Sequence, residues 1–229
     1  MAYGFGCTDS ERTTVVSQRS RFISIEGGEG VGKSYLTHGL KTRLEQLKHK
    51  VLLTREPGGT PLADSIRALF LNPPEKPSPL AELFLVSAAR SQHIQAVIEP
   101  ALSIGTWVLC DRFYDSTRVY QGDLAGVPNQ ILESVISHSV GVYHPALTFL
   151  LDCPTEVAMK RVQERSKTLQ SEGSNRYDEG SRDMYETLRN SYLKRAKEFP
   201  DRIVVIDASQ TPEQVLDAAW AKMKQQLKL

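Results

Sequence analysis

Gly27, Gly32, Lys33 and Ser34 occupy the fixed positions of the pattern G-x-x-x-x-G-K-[ST], within the run RFISIEGGEGVGKS at residues 21–34. That spacing suits the binding of a chain of phosphates. Gly27, Gly28, Gly30 and Gly32 let the backbone turn its N–H groups inward, with Glu29 and Val31 between them. Lys33 can reach the outer phosphates, and the Ser34 hydroxyl can hold Mg²⁺. A helix starting near Lys33 adds its positive end. Glycine-rich turns also occur with no ligand. Here the run lies between a strand, Phe22 to Glu26, and an amphipathic stretch carrying Leu36, Leu40, Leu44 and Leu47. That context predicts a nucleoside triphosphate site.

Other groups could supply the rest of the chemistry. The segment WVLCDRF ends an apolar strand in Asp111, where a carboxylate could position Mg²⁺ beside the phosphates. Arg112 could grip a second phosphate bidentately, or simply pair with Asp111 to close the strand. In the run FYDSTRVYQG, Thr117, Tyr120 and Gln121 are hydrogen-bonding and stacking groups suited to a base and a sugar. The segment TREPGGTPLADSIR reads as a tight turn, with Glu56–Pro57 a plausible cis bond. Arg55 and Arg67 bracket this turn, and Asp64 could pair with Arg67 on the following helix. Arg90 interrupts the apolar face of ELFLVSAARSQH and so needs a polar or anionic partner, which a ligand could supply. The polar stretch Ser166 to Ser181, with Arg161, Arg165, Lys167, Arg176 and Arg182 in and around it, reads as a mobile lid. Its arginines would close over transferring phosphate and keep water away.

These groups need a scaffold. Strands are expected at Arg21–Glu26, Lys50–Thr54, Thr106–Cys110, Ala146–Asp152 and Arg202–Asp207. Helical patterns fall near 34–48, 61–71, 79–103, 129–139, 154–166, 181–198 and 211–227. The alternation predicts an α/β fold with a five-stranded parallel sheet and helices on both faces. Such sheets bind ligands beyond the carboxyl ends of their strands. GGEGVGKS, REPGGT, DRF and DCP each follow a strand, which argues for one enzyme site.

Composition narrows the alternatives. The net charge of +1 over 229 residues gives no sign of a nucleic-acid or membrane partner. Cys7, Cys110 and Cys153 fit reduced thiols in a cytoplasmic protein, and the chain carries no CxxC or HExxH spacing. No apolar run approaches the roughly 20 residues of a membrane span. Residues 1–20 are polar and read as a disordered extension, leaving 21–229 as one domain.

Taken together, EGGEGVGKS, TREPGGT, AARSQH, VLCDRFYDSTRVYQG and LLDCPTEVAMKR resemble the thymidylate kinases, which phosphorylate dTMP with ATP. The resemblance runs from about residue 21 to the C-terminus and implies a P-loop kinase fold, Mg²⁺, ATP as donor and a homodimer. It implies that Glu29 lies near the acceptor sugar and phosphate, and that Arg112 binds the dTMP phosphate with Arg67 facing the acceptor. Asp111 then serves the metal and phosphates. Arg55 and Glu56 join the acceptor set, Arg90 addresses the thymine carbonyl, and Thr117 and Gln121 lie near the base. Tyr120 crowds the place of a 2′-hydroxyl. Val31 leaves the P-loop without an arginine, so the pattern is the bacterial one, with Arg161, Arg165 and Arg176 of a lid at about 161–182 meeting the phosphates.

Family members usually carry a Phe four residues before the thymine-reading arginine; here Val86 stands there. Phe84 lies about 200° away around a helix. Losing an aromatic stack costs on the order of 1 kcal/mol, which implies weaker or broader base selection. Tyr35 replaces the usual second Thr, DRF the common DRY, and the lid ends Asn175-Arg176-Tyr177-Asp178. Two rivals stay open: a deoxynucleoside kinase, which would need a carboxylate base, and a nucleotide-hydrolysing switch, although no NKxD segment is present.

Overall fold

The computed structural model describes residues 21–168 and 180–229. Strands β1 (Phe22–Glu26), β2 (Val51–Arg55), β3 (Trp107–Asp111), β4 (Leu147–Asp152) and β5 (Ile203–Asp207) form one parallel sheet in the order β2-β3-β1-β4-β5. Each expected strand forms, displaced by no more than one residue at either end. Side chains alternate across the sheet. Ile23, Ile25, Leu109 and Phe149 face one layer, with Leu36, Leu40 and Leu44 of α1 (Lys33–Gln46). Phe22, Val108 and Cys110 face the other. Both faces are covered by helices, which is why the inner strands read as near-continuous apolar runs.

The first layer is completed by α9 (Pro212–Leu227), which packs Val215, Ala219 and Met223. The second holds α3 (Pro79–His93), α4 (Glu99–Ser103), α5 (Tyr114–Thr117) and α6 (Asn129–Val140). Beside them lie α2 (Pro61–Leu71), α7 (Thr155–Thr168) and α8 (Arg182–Glu198). Capping sets several starts. Thr60, Ser78, Ser181 and Thr211 each accept the backbone N–H of the third residue of the next helix, and proline follows Thr60, Ser78 and Thr211.

The helix expected over 79–103 is not continuous. A π turn, Ile94–Ile98, separates α3 from α4 just before Pro100. Pro100 has no N–H to continue the ladder, and the widened turn absorbs the break. A second π segment, Arg118–Leu124, continues α5 in a region that the strand-and-helix pattern left unassigned. Among the described residues, no helix is long and apolar enough to cross a membrane. Residues 1–20, Arg176 and most of the expected lid lie outside the described residues.

The sheet order fixes where the site must be. The crossover leaving β1 runs to β2 at one edge, while that leaving β3 runs to β4 on the opposite side of β1. The chain therefore parts above the adjacent ends of β1 and β3, and a crevice opens there.

Candidate active site

The loop after β1 is shaped by its glycines. Gly27 and Gly30 have φ of +136° and +76°. A Cβ on Gly27 would lie 2.6 Å from the Leu151 carbonyl oxygen, and one on Gly30 would collide with that of Ala158. No side chain caps the first turn of α1, so its N–H groups stay available to an anion. Lys33 is buried and donates to the carbonyls of Gly28 (2.7 Å) and Gly27 (3.2 Å). Burial, and then the charge of Arg112, lower its pKa. Opposite, the Ser34 hydroxyl lies 3.4 Å from Asp111 Oδ2, and Asp111 Oδ1 is buried with no hydrogen-bond partner. Lys33, Ser34, Arg55, Arg67, Asp111, Arg112, Arg161 and Arg165 line one cleft over this loop. Arg161 also donates to the Ala208 carbonyl (2.8 Å).

A second cavity opens beside the first. Among its walls are Glu29, Glu56, Arg67, Val86, Arg90, Arg112, Thr117, Tyr120 and Gln121, so every expected acceptor residue except Arg55 meets there. Arg55 ends β2 and faces the phosphate cleft instead. Arg112 does not pair with Asp111 to close β3. Its Nη2 reaches Glu29 (2.5 Å), and its Nη1 donates to Gly27 O (2.9 Å), Tyr192 Oη (3.0 Å) and Ser116 Oγ (3.2 Å). Nor do Asp64 and Arg67 form the expected pair. Asp64 accepts from the Gly59 N–H, and Arg67 donates to the Pro57 carbonyl (2.9 Å). The Glu56–Pro57 bond is cis.

Arg90 finds its anion within the protein. Nε donates to Glu56 (2.7 Å) and Nη2 to Thr117 (2.8 Å), leaving buried Nη1 without a partner. His93, fully buried, holds the other Glu56 oxygen at 3.0 Å and shares a hydrogen bond with Thr54. Val86 is 5% exposed on the cavity wall, whereas Phe84 is 53% exposed and does not line the cavity. Aromatic wall comes from elsewhere: Phe70 of α2 and Phe113.

Two carboxylates sit in contrasting fields. Burial alone would raise Glu29, but Arg112, Lys33 and Arg165 overcome it and hold the carboxyl at about 2. Glu26 is pushed up to about 7, by burial first and then by Asp115, against the hydrogen bonds it receives from Ser116 and Phe113. For Glu29 the folded-state pKa lies below the unfolded one. Its stabilising contribution is thus complete above about pH 4.5 and lost as pH falls toward 2. Denaturant titrations of Glu29→Gln and the parent should therefore differ above that window and converge below it. A gap unchanged down to pH 2 would contradict the pairing with Arg112.

A family model described as thymidylate kinase matches residues 25–219. The chain belongs to the thymidylate kinase family. It is 42% identical over 213 residues to the thymidylate kinase of Rhodopseudomonas palustris, covering 92% of this chain and 91% of the relative. With the thymidylate kinase of Citrifermentans bemidjiense it shares 45% over 189 residues, covering 82% and 84% respectively. Its fold superposes on the crystal structure of thymidylate kinase from Ehrlichia chaffeensis with a TM-score of 0.71 at 28% identity, over 90% of this chain and 98% of that one. The reaction of this chain is that of the family: ATP and dTMP give ADP and dTDP. Motif reading missed Glu26, Phe70, His93, Ser116 and Tyr192 around the thymidylate kinase cleft. Glu26 opens EGGEGVGKS, His93 ends AARSQH and Ser116 lies within FYDST, but none was given a role there, and Phe70 and Tyr192 fall in none of these motifs.

Proposed function

We propose that ATP lies over the glycine loop and dTMP fills the neighbouring cavity, within one kinase domain spanning residues 21–229. The observation that carries this reading is the shared wall: Glu29, Arg67 and Arg112 line both spaces. A phosphate at that wall stands between base cavity and donor loop. Arg112 and Arg67 hold the acceptor phosphate there, and Lys33 turns from the Gly27 and Gly28 carbonyls to the donor phosphates. The attacking oxygen is already anionic, so no general base is required. In-line positioning and charge neutralisation account for the rate. Arg161 and Arg165, which line the phosphate cleft, neutralise charge on the transferred group. Arg90 Nη1 meets a thymine carbonyl, Thr117 and Gln121 border the base, and Tyr120 packs against the sugar.

Ser34 and Asp111 fit a Mg²⁺ ion, since a buried carboxylate oxygen with no partner needs a cation. Bound there, Mg²⁺ would neutralise charge on the donor phosphates. The protein acts in the cytoplasm as a homodimer. In support, Leu62 and Leu69 of α2 and Leu80 and Phe84 of α3 stand exposed on helices packed side by side.

A panel of dTMP, dUMP, UMP, GMP and thymidine with ATP and Mg²⁺ tests the assignment. dTMP should be the best acceptor, and phosphorylation of thymidine but not dTMP would overturn it. Phe70 offers a sharper check on the base site. Phe70→Ala should raise KM for dTMP about fivefold with little change in kcat, the worth of one aromatic contact. An unchanged KM would mean that the base does not touch this ring.

A further inference from the structure

Arg112 has φ of +68°, a left-handed conformation uncommon for a side chain of this size. Something must hold that turn, because it aims the guanidinium across the crevice. The Arg112 N–H donates to Ile25 O (2.9 Å), and the next N–H, that of Phe113, donates to Glu26 Oε1 (2.7 Å). The other oxygen, Glu26 Oε2, accepts from the Ser116 hydroxyl (2.6 Å) and lies 3.5 Å from Tyr192 Oη. Ser116 Oγ and Tyr192 Oη lie 2.8 Å apart, and both accept from Arg112 Nη1. One buried carboxylate thus grips the backbone beyond the arginine and orients the two hydroxyls that fix the arginine's tip. Glu26 is 1% exposed and lines neither the base cavity nor the phosphate cleft.

We propose that Glu26 is a positioning residue for acceptor binding, acting on Arg112 through the Phe113 N–H and the Ser116–Tyr192 hydroxyl pair. It touches neither substrate. The arrangement also ties α8, the helix that follows the expected lid and carries Tyr192, to the acceptor arginine. The proposal rests on Arg112 holding the dTMP phosphate.

The test compares Glu26→Gln, Glu26→Asp, Ser116→Ala and Tyr192→Phe with Arg112→Lys as a reference, measuring KM for each substrate, kcat and thermal stability. Glu26→Gln keeps the size of the side chain and one acceptor oxygen, but puts an amide NH₂ in place of the other. Assayed at about pH 8, where Glu26 is mostly ionised, it should raise KM for dTMP about tenfold, the worth of a hydrogen bond to a charged group, and leave KM for ATP within about twofold. Tyr192→Phe should raise KM for dTMP in the same sense and add little on top of Glu26→Gln, since both act on one Nη1. Glu26→Asp keeps the charge on a shorter arm, and its KM for dTMP should fall between those of the parent and Glu26→Gln. A melting temperature lowered with both KM values unchanged would make Glu26 merely structural and overturn the proposal. If Glu26→Gln does not fold, an unchanged KM for dTMP in both Tyr192→Phe and Ser116→Ala overturns it equally. An unchanged KM for dTMP in Arg112→Lys would instead refute the underlying assignment of Arg112.

Discussion

Lys33→Ala should lower kcat for dTDP formation on the order of 10³-fold, the scale of losing a preorganised charge at the transferring group. The ammonium is buried beside the donor loop, where water screens it little. In the free protein it donates to the Gly27 and Gly28 carbonyls, interactions that a triphosphate can replace. Burial and the nearby Arg112 disfavour its charge, so an anionic ligand relieves a cost already built into the fold. Alanine removes that cost as well. The variant should thus melt no lower than the parent while losing turnover. Steady-state assays with a coupled ADP readout, alongside thermal melts, check both halves, and near-normal dTDP formation would refute the role.

Arg112→Lys should reduce kcat/KM for dTMP about 10²-fold and change KM for ATP little. A lysine keeps the charge but cannot reach Glu29 from one nitrogen and Gly27, Ser116 and Tyr192 from another. The guanidinium fork does both at once, and that rigidity is what a phosphate reads. Glu29 retains a cation nearby, which limits the loss of stability. Kinetics with dTMP and ATP varied separately distinguish this outcome from general damage, which would affect both substrates.

Local chemistry made half of this site readable. The glycine loop is a continuous run, and its φ values and close approaches answer to glycines at fixed spacing. The strands were readable because a sheet buried on both faces needs uninterrupted apolar segments. Asp111 and Arg112 were found because they end such a segment. Partners across the fold were not readable. Glu26 and Tyr192 are 166 residues apart, and no local pattern links a strand end to the middle of α8. Arg90 was recognised as needing an anion, but only the fold places Glu56 and Thr117 beside it. The concern raised by Val86 had the same origin. Helical periodicity turns Phe84 outward, yet it carries no information about Phe70 arriving from α2. The π turn before Pro100 escaped because periodicity continues across it while the backbone widens.

The engagement of Arg90 with Glu56 and Thr117 has a consequence for which pyrimidine the cavity accepts. Nε and Nη2 are engaged, Nη1 is the nitrogen left without a partner, and the group has no acceptor to offer a base placed there as proposed. Uracil and thymine present a carbonyl oxygen at ring position 4, and cytosine presents an amino group. With cytosine in the same pose, donor would face donor, and a buried cation would be left without its hydrogen bond. A mismatch of that kind discriminates far more strongly than a misfit of one methyl group in an apolar wall. On the proposed placement of dTMP, with the position-4 oxygen at Nη1, dCMP should be a poor acceptor even where aromatic contact around Val86 is replaced by other packing, because donor would then meet donor.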